Sequence, residues 1–348
     1  MVTDEKYMQR CIELAQLGMG SVSPNPMVGA VVVVDSVIIG EGYHHKYGEA
    51  HAEVNAINQV FSSFSDAAEL LDQSTLYVSL EPCAHYGKTP PCADLIIKHR
   101  IPRVVVGCRD PFEQVNGKGI EKLREAGIEV ITGVLEKECL WLNRRFFTRV
   151  QKKRPYIILK WAQTADGFIA PDDNSQRWIT GPESRRLVHQ WRAEEDAILV
   201  GKNTAAIDNP QLNVRYTPGR SPKRVVIDRR LELNKSLNLF DQSVETLIFN
   251  EVRTDIEGKN KYIALEDFDR YVPQYIMFQL YLQDIQSVII EGGAYTLNSF
   301  IEAGLWDEAR IFTGKTNFGK GIRAPLISGA AEEFSIGNDI LRILVNNY

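Results

Sequence analysis

Strand-sized apolar runs alternate with amphipathic stretches twice over along this chain, and that repetition restricts its fold more than any other feature. The longest run, Ala30-Val31-Val32-Val33-Val34, suits a buried strand. It falls far short of the roughly 18–20 apolar residues needed to cross a bilayer. Before it, residues 5–17 place apolar side chains at Tyr7, Met8, Cys11, Ile12, Leu14 and Ala15, an amphipathic helix stopped by Gly18 and Gly20. The spacing then predicts strands at Met27–Val34 and Val37–Ile39 around an Asp35-Ser36 turn, a helix over Ala50–Phe61 and a strand at Thr75–Ser79. Helix Pro91–His99, strand Arg103–Gly107, helix Ile120–Ala126, strand Ile128–Ile131 and helix Glu136–Val150 continue the alternation. Helices packed on a sheet are the architecture such a pattern supports.

The pattern pauses at Lys152-Lys153-Arg154-Pro155, a charged stretch followed by proline that reads as a linker. It then restarts with strand Tyr156–Lys160, helix Pro182–Glu194, and strands at Ala197–Val200, Arg224–Ile227, Thr246–Phe249 and Ser287–Ile290. Helix Ala294–Ala303 and strand Glu308–Phe312 follow, whereas residues 250–285 show no readable period. A boundary near residue 150 gives expected domains of 1–150 and 151–348, consistent with two domains in 348 residues. With 40 basic against 45 acidic residues the chain lacks the basic footprint of a nucleic-acid or anionic-membrane binder. The opening Met1-Val2-Thr3-Asp4-Glu5-Lys6 lacks the order of a signal peptide, so a cytoplasmic location is the expectation. Five widely spaced cysteines do not make a disulfide framework.

Two of those cysteines have a different use. His51-Ala52-Glu53 opens a helix, Pro82-Cys83 follows a strand, and Cys92 starts another helix after Pro90-Pro91. Zinc takes N and S ligands tetrahedrally, and catalytic sites keep three protein ligands plus water. His51, Cys83 and Cys92 supply three, and a helix N-terminus favours thiolate. Glu53 lies about 200° round a continuing helix from His51, so the two converge only at the helix start. There Glu53 is placed to move protons between an activated water and a leaving amine. This is the grammar of zinc nucleobase deaminases, except that eight residues rather than two separate the cysteines. A structural zinc, or two core cysteines beside a surface His-Glu pair, is the bland alternative. Cys11, Cys108 and Cys139 fit no ligand spacing and read as packing residues.

Ser23-Pro24-Asn25-Pro26-Met27-Val28-Gly29, Gly42-Tyr43-His44, His51-Ala52-Glu53 and the stretch Pro82-Cys83-Ala84-His85-Tyr86-Gly87-Lys88-Thr89-Pro90-Pro91-Cys92 resemble the bifunctional riboflavin-biosynthesis deaminase/reductase family. The resemblance implies an N-terminal cytidine-deaminase-like α/β/α domain that removes an amine from a pyrimidinone ribosyl phosphate. It also implies substrate contacts for Asn25, His44, His85, Lys88, Thr89 and Asp110. The family follows Asp-Pro with Asn-Pro, whereas Asp110-Pro111 is followed here by Phe112-Glu113, so that Asn contact does not carry over.

In the second half, Ile290-Glu291-Gly292-Gly293 leaves an apolar strand directly into a helix, where bare amides could hold a pyrophosphate. An ordinary tight turn has the same spelling. Lys160 through Gly167, Trp178-Ile179-Thr180-Gly181, Asp196 through Gly201, Asp208 through Arg215 and Glu291-Gly292-Gly293 are similar to the family's reductase domain. That similarity implies a dihydrofolate-reductase-like α/β domain using NADPH. By the same resemblance Ala162, Trp178, Thr204, Asp208 and the amides from Gly293 onward contact NADPH, while Arg192, Leu212, Arg215 and Glu291 contact the ribosyl phosphate. Arg forks suit phosphate oxygens. Lys160, at a strand end, is a candidate to polarise or protonate the ribose oxygen. The family's C-terminal Ala-Pro is Thr313-Gly314 here, and Ser175-Gln176-Arg177 has no secure counterpart.

Together these readings imply a zinc- and NADPH-dependent bifunctional enzyme. It would deaminate 2,5-diamino-6-ribosylamino-4(3H)-pyrimidinone 5′-phosphate and then reduce the ribosyl group to ribityl. The expected partner is that small phosphorylated pyrimidine, with no nucleic acid and no membrane, and homo-oligomerisation left open. A cytidine or tRNA-adenosine deaminase with a second domain for binding, and a nucleotide-binding scaffold around a structural zinc, are the rivals. The last of these requires a fourth protein ligand.

Overall fold

The computed structural model describes residues 3–84, 86, 90–173 and 177–346. They form two compact units that part between Lys152 and Lys153. Among the described residues no helix is long and apolar enough to cross a membrane.

The first unit runs α1 (Asp4–Gln16), β1 (Gly29–Val34), β2 (Val37–Tyr43), α2 (Ala52–Ser63), α3 (Ala67–Leu71), β3 (Thr75–Leu80), α4 (Cys92–Lys98), β4 (Arg103–Cys108), α5 (Lys118–Glu125), β5 (Glu129–Thr132), α6 (Glu136–Leu142) and α7 (Arg144–Lys152). Its sheet has the order β2-β1-β3-β4-β5. β1 pairs antiparallel with β2 and β3, and β3, β4 and β5 run parallel. Successive side chains of a strand point to opposite faces, and here both faces are covered. Val31, Val33, Tyr77 and Val105 pack with Met8, Ile12 and Phe146 of α1 and α7. Ala30, Val32, Leu76, Val78 and Val106 pack with Ala56, Ile57, Ile96 and Leu123 of α2, α4 and α5. This α/β/α layering is why β1 reads as a continuous Val run rather than an alternating one.

The expected helix Glu136–Val150 is broken at Asn143, which separates α6 from α7. Buried Asn143 instead serves Met27: its Oδ1 accepts the Met27 N–H at 2.8 Å and its Nδ2 donates to the Met27 carbonyl at 2.8 Å. No local pattern carries that bond, because its partner is 116 residues away. Truncating Asn143 to Ala would leave a buried backbone N–H and C=O unpaired, at a cost of about 1–3 kcal/mol each at most. Asn143→Ala is expected to lower stability by about 2 kcal/mol, and an unchanged urea midpoint would show that water replaces the amide.

The second unit runs β6 (Tyr156–Gln163), β7 (Phe168–Pro171), α8 (Pro182–Glu194), β8 (Ala197–Gly201), α9 (Lys202–Asp208), β9 (Lys223–Ile227), β10 (Thr246–Asn250), β11 (Asp255–Glu257), β12 (Asn260–Ala264), α10 (Val272–Leu282), β13 (Ser287–Ile290), α11 (Ala294–Glu302), β14 (Glu308–Thr313), β15 (Gly321–Arg323), β16 (Ala331–Ile336) and β17 (Asp339–Val345). Its main sheet has the order β11-β12-β10-β9-β8-β13-β6-β14-β17-β16. The stretch from β12 to β14 is parallel throughout, with antiparallel strands at both edges. Ile157, Leu199, Val225 and Val288 face α10 and α11, and Ile158, Val200, Val226 and Ile289 face α8 and α9. The unread segment 250–285 thus contains the edge strand β11, its neighbour β12 and a helix. Gly314 explains one departure from the family's spelling: a Cβ there would lie 2.0 Å from the Ile179 carbonyl oxygen.

Candidate functional site

The first site gathers where β3 and the start of α2 meet α4. His51 is the N-cap of α2, with extended backbone (φ −73°, ψ 165°), and Glu53 lies in the helix's first turn. That non-helical cap lets both side chains face one point. His51 Nδ1 lies 3.6 Å from Cys83 Sγ and 3.3 Å from Cys92 Sγ. The three ligand atoms all lie within 4.8 Å of one another. A tetrahedral zinc with ordinary bond lengths sets N···S at about 3.6 Å, so this donor set fits the ion. Among the described residues no fourth His, Cys, Asp or Glu joins the group, which is the pattern of an open rather than a closed site.

The surroundings favour thiolate. Cys83 is pushed down to about 4, first by the hydrogen bond from the Cys92 thiol and further by His51 and the Cys92 N–H, which donates to its sulfur at 3.3 Å. The hydrogen bond to Cys83 pushes His51 up to about 9. Glu53 is buried, and burial raises its carboxyl above the usual range; it hydrogen-bonds the Cys92 thiol. A carboxyl raised in this way beside the ligands can both accept and return a proton.

Asn25 and His44 extend the site. Ala50 carbonyl accepts from His44 Nδ1 at 3.0 Å, leaving Nε2 to accept from Asn25 Nδ2 at 3.0 Å. The His44 and His51 rings meet edge to face at 5.5 Å. Asp110 is buried and pushed up to about 7, chiefly by burial and then by Glu81 and Cys83, against the Phe112 N–H that it accepts at 2.8 Å. That bond uses the Phe112 backbone, which an Asn at this position would offer equally. His85, Lys88 and Thr89 lie outside the described residues.

Sequence reasoning passed over Glu81. Its buried carboxylate accepts the N–H groups of Asp110, Gly117, Gly119 and Ile120 at 3.0–3.3 Å. It ties the loop bearing Asp110 to the turn bearing Cys83, two residues away. Only its position beside Pro82-Cys83 hinted at this.

The second site is a cavity of about 1300 Å³ at the carboxyl ends of β6, β8, β9 and β13. Ligand clefts in parallel sheets lie at this end. Lys160, Ala162, Trp178, Arg192, Thr204, Asp208, Arg215, Glu291 and Gly293 all line it. Leu212 is the exception: its side chain is buried in the core, so only its backbone is left for a ligand. Gly292 and Gly293 deliver β13 into α11, whose start has no side-chain cap. A Cβ on Gly292 would come within 3.0 Å of the Gly201 nitrogen and 2.9 Å of Thr296 Cβ. The bare turn and uncapped amides make a cradle that fits a cofactor pyrophosphate. Thr204 Oγ1 holds it by accepting the Gly293 N–H at 2.9 Å. Burial raises the Asp208 carboxyl. Trp178 is exposed on the rim, with the Arg185 guanidinium 4.7 Å over its ring.

Across the cavity Glu291 joins two cations: Arg192 at 2.8 Å and Lys160 Nζ at 3.8 Å. Burial alone would raise Glu291, but the two charges hold it at about 2. Burial lowers Lys160 from its ordinary range, and the Glu291 charge works against that. His189, a turn before Arg192 on α8, also lines the cavity; the sequence offered no signal for it beyond that spacing.

Residues 155–334 match the family model for the RibD C-terminal domain, and residues 1–108 match the cytidine and deoxycytidylate deaminase zinc-binding region. The riboflavin biosynthesis protein RibD of Aquifex aeolicus is 42% identical over 92% of this chain and 89% of its own length. That of Bacillus amyloliquefaciens is 41% identical over 94% and 88%. The solved structure of a diaminohydroxyphosphoribosylaminopyrimidine deaminase/5-amino-6-(5-phosphoribosylamino)uracil reductase from Thermotoga maritima superposes with a TM-score of 0.88, at 40% identity over 98% of both chains. Acinetobacter baumannii RibD superposes with 0.87, at 34% identity over 98% of both. With a zinc-fitting triangle in one unit and a cofactor-sized cavity in the other, the chain belongs to the RibD family of bifunctional deaminase/reductases of riboflavin biosynthesis.

Proposed function

We propose that residues 1–150 deaminate 2,5-diamino-6-ribosylamino-4(3H)-pyrimidinone 5′-phosphate, and that residues 151–348 use NADPH to reduce the product's ribosyl group to ribityl. The observation that carries this reading is the His51, Cys83 and Cys92 triangle with the buried Glu53 carboxyl beside it. Zinc, held by those three side chains, supplies a Lewis acid that makes water a nucleophile near neutral pH. Glu53 takes the proton that this water sheds and delivers it to the departing amine, so that ammonia leaves. Asn25, His44 and Asp110, with His85, Lys88 and Thr89, hold the base and its ribose phosphate.

In the second cavity NADPH, when bound, supplies the hydride. The amides that follow Gly293, whose own N–H is held by Thr204, bind its pyrophosphate, and Ala162, Trp178, Thr204 and Asp208 flank the rest of the cofactor. Arg192, Arg215, Glu291 and the Leu212 backbone hold the ribosyl phosphate. Lys160, close to Glu291 and buried, moves a proton to the ribose oxygen as the ring opens. The protein's share of this step is to keep two ligands in near-attack geometry. NADPH and phosphorylated intermediates do not cross membranes unaided, which supports a cytoplasmic location.

A coupled assay of ammonia release and NADPH oxidation tests the assignment. Chelating zinc is expected to abolish ammonia release while sparing NADPH oxidation with pre-deaminated substrate. Equal loss of both would overturn the assignment of one reaction to each unit. Ammonia release from cytidine or tRNA instead of the pyrimidinone phosphate would favour the simpler deaminase.

A further inference from the structure

Two of the cations in the cavity share one carboxylate. Lys160 and Arg192, which line the cavity, both contact the Glu291 carboxylate. Arg215 is held differently: its Nη1 donates to Gln211 Oε1 and Asn213 Oδ1, both at 2.7 Å. Neither partner is charged, and among the described residues no carboxylate pairs with it. The guanidinium thus keeps its full charge for a ligand.

The loop carrying Arg215 is fastened to α8 at two points one helical turn apart. Arg192 Nη1 donates to the Asn213 carbonyl at 3.4 Å, and His189 Nδ1 accepts the Arg215 N–H at 3.1 Å. Alternate loop residues are therefore gripped by side chains at i and i+3 on one helix face. The His189 ring is buried and braced edge-on against Tyr216, with centroids 4.5 Å apart. We infer that His189 is a positioning residue that holds Arg215 at the cavity wall and thereby sets affinity for the substrate's phosphate end. The inference rests on the reading that Arg215 binds that phosphate. Burial, helped by Arg192 and Arg215, pushes His189 down to about 4, so its Nδ1 lone pair is kept near neutral pH.

Two variants isosteric with each other isolate the acceptor. Asn places Oδ1 where Nδ1 sits, and Leu has the same shape without it. His189→Leu is expected to raise KM for the deaminated phosphorylated substrate by about five- to tenfold, the effect of one lost hydrogen bond. His189→Asn should stay within about twofold. NADPH affinity by fluorescence titration and kcat/KM for the substrate lacking its 5′-phosphate should be unchanged in both. Equal effects of Leu and Asn, or an equal loss with the dephosphorylated substrate, would overturn the inference. Arg215→Gln separates the two layers of the reading. If it abolishes the preference for phosphate while His189→Leu leaves KM alone, only the inference falls. If Arg215→Gln leaves the preference intact, the assignment of Arg215 falls and takes the inference with it.

Discussion

Glu53→Gln is expected to slow ammonia release by about 10²–10⁴-fold, the range contributed by a positioned general acid–base. The zinc content of the purified protein should be unchanged, because His51, Cys83 and Cys92 remain. NADPH oxidation with pre-deaminated substrate should also be unchanged, because Glu53 lies in the other compact unit. Folding should tolerate the change: burial already lifts the Glu53 carboxyl, and a neutral amide of the same size avoids the cost of a buried charge. Atomic absorption and the coupled assay on one preparation decide the matter. Ammonia release within about tenfold of the unaltered enzyme would remove Glu53 from proton transfer. Loss of zinc would show that it supports the ligands instead.

Glu291→Gln is expected to be the most disruptive single change in the second unit. It removes the anion from a pair whose side chains are each only 11% exposed. Lys160 can respond by releasing its proton, since burial already lowers it. Arg192 cannot, and an uncompensated buried guanidinium costs about 3 kcal/mol. For a unit of this size that corresponds to a melting temperature lower by roughly 6–12 °C. The pH dependence has a definite sign. Glu291 is held at about 2, below its ordinary 4.5, so its contribution is complete above about 4.5 and is lost as pH falls toward 2. The melting difference between the two proteins should be constant from neutrality to about pH 5 and shrink below that. A difference that persists undiminished at pH 3, or none at neutrality, would show that Glu291 does not neutralise Arg192.

What the amino-acid order reveals depends on how far away each residue's partner lies. β1 was legible because burial on both faces makes a contiguous Val run. The zinc triangle was legible because a catalytic ion demands particular atoms, whatever the loop length between Cys83 and Cys92. Segment 250–285 was opaque for two reasons. β11 and β12 are short, with the edge strand β11 mostly charged, and α10 exposes Tyr275, Phe278 and Leu282 while burying Ile276, Met277 and Leu280. A helix apolar on several faces shows no period. Asn143, Glu81 and His189 were missed together because each accepts hydrogen from a backbone amide far along the chain. A side chain's type does not disclose which distant amide it will meet.

The position of β13 has a consequence for synthesis. It lies between β6 and β8, the first two long strands of its unit, yet it begins about 130 residues after β6. A growing chain can therefore finish its first sheet, with His51, Cys83 and Cys92 included, once residue 152 has emerged. The second sheet must wait with its central gap open until Ile290 arrives. Closure of so distant a pairing is slow and leaves strand edges exposed meanwhile. Translation thus delivers a metal-competent half long before the nucleotide-binding half has its middle strand.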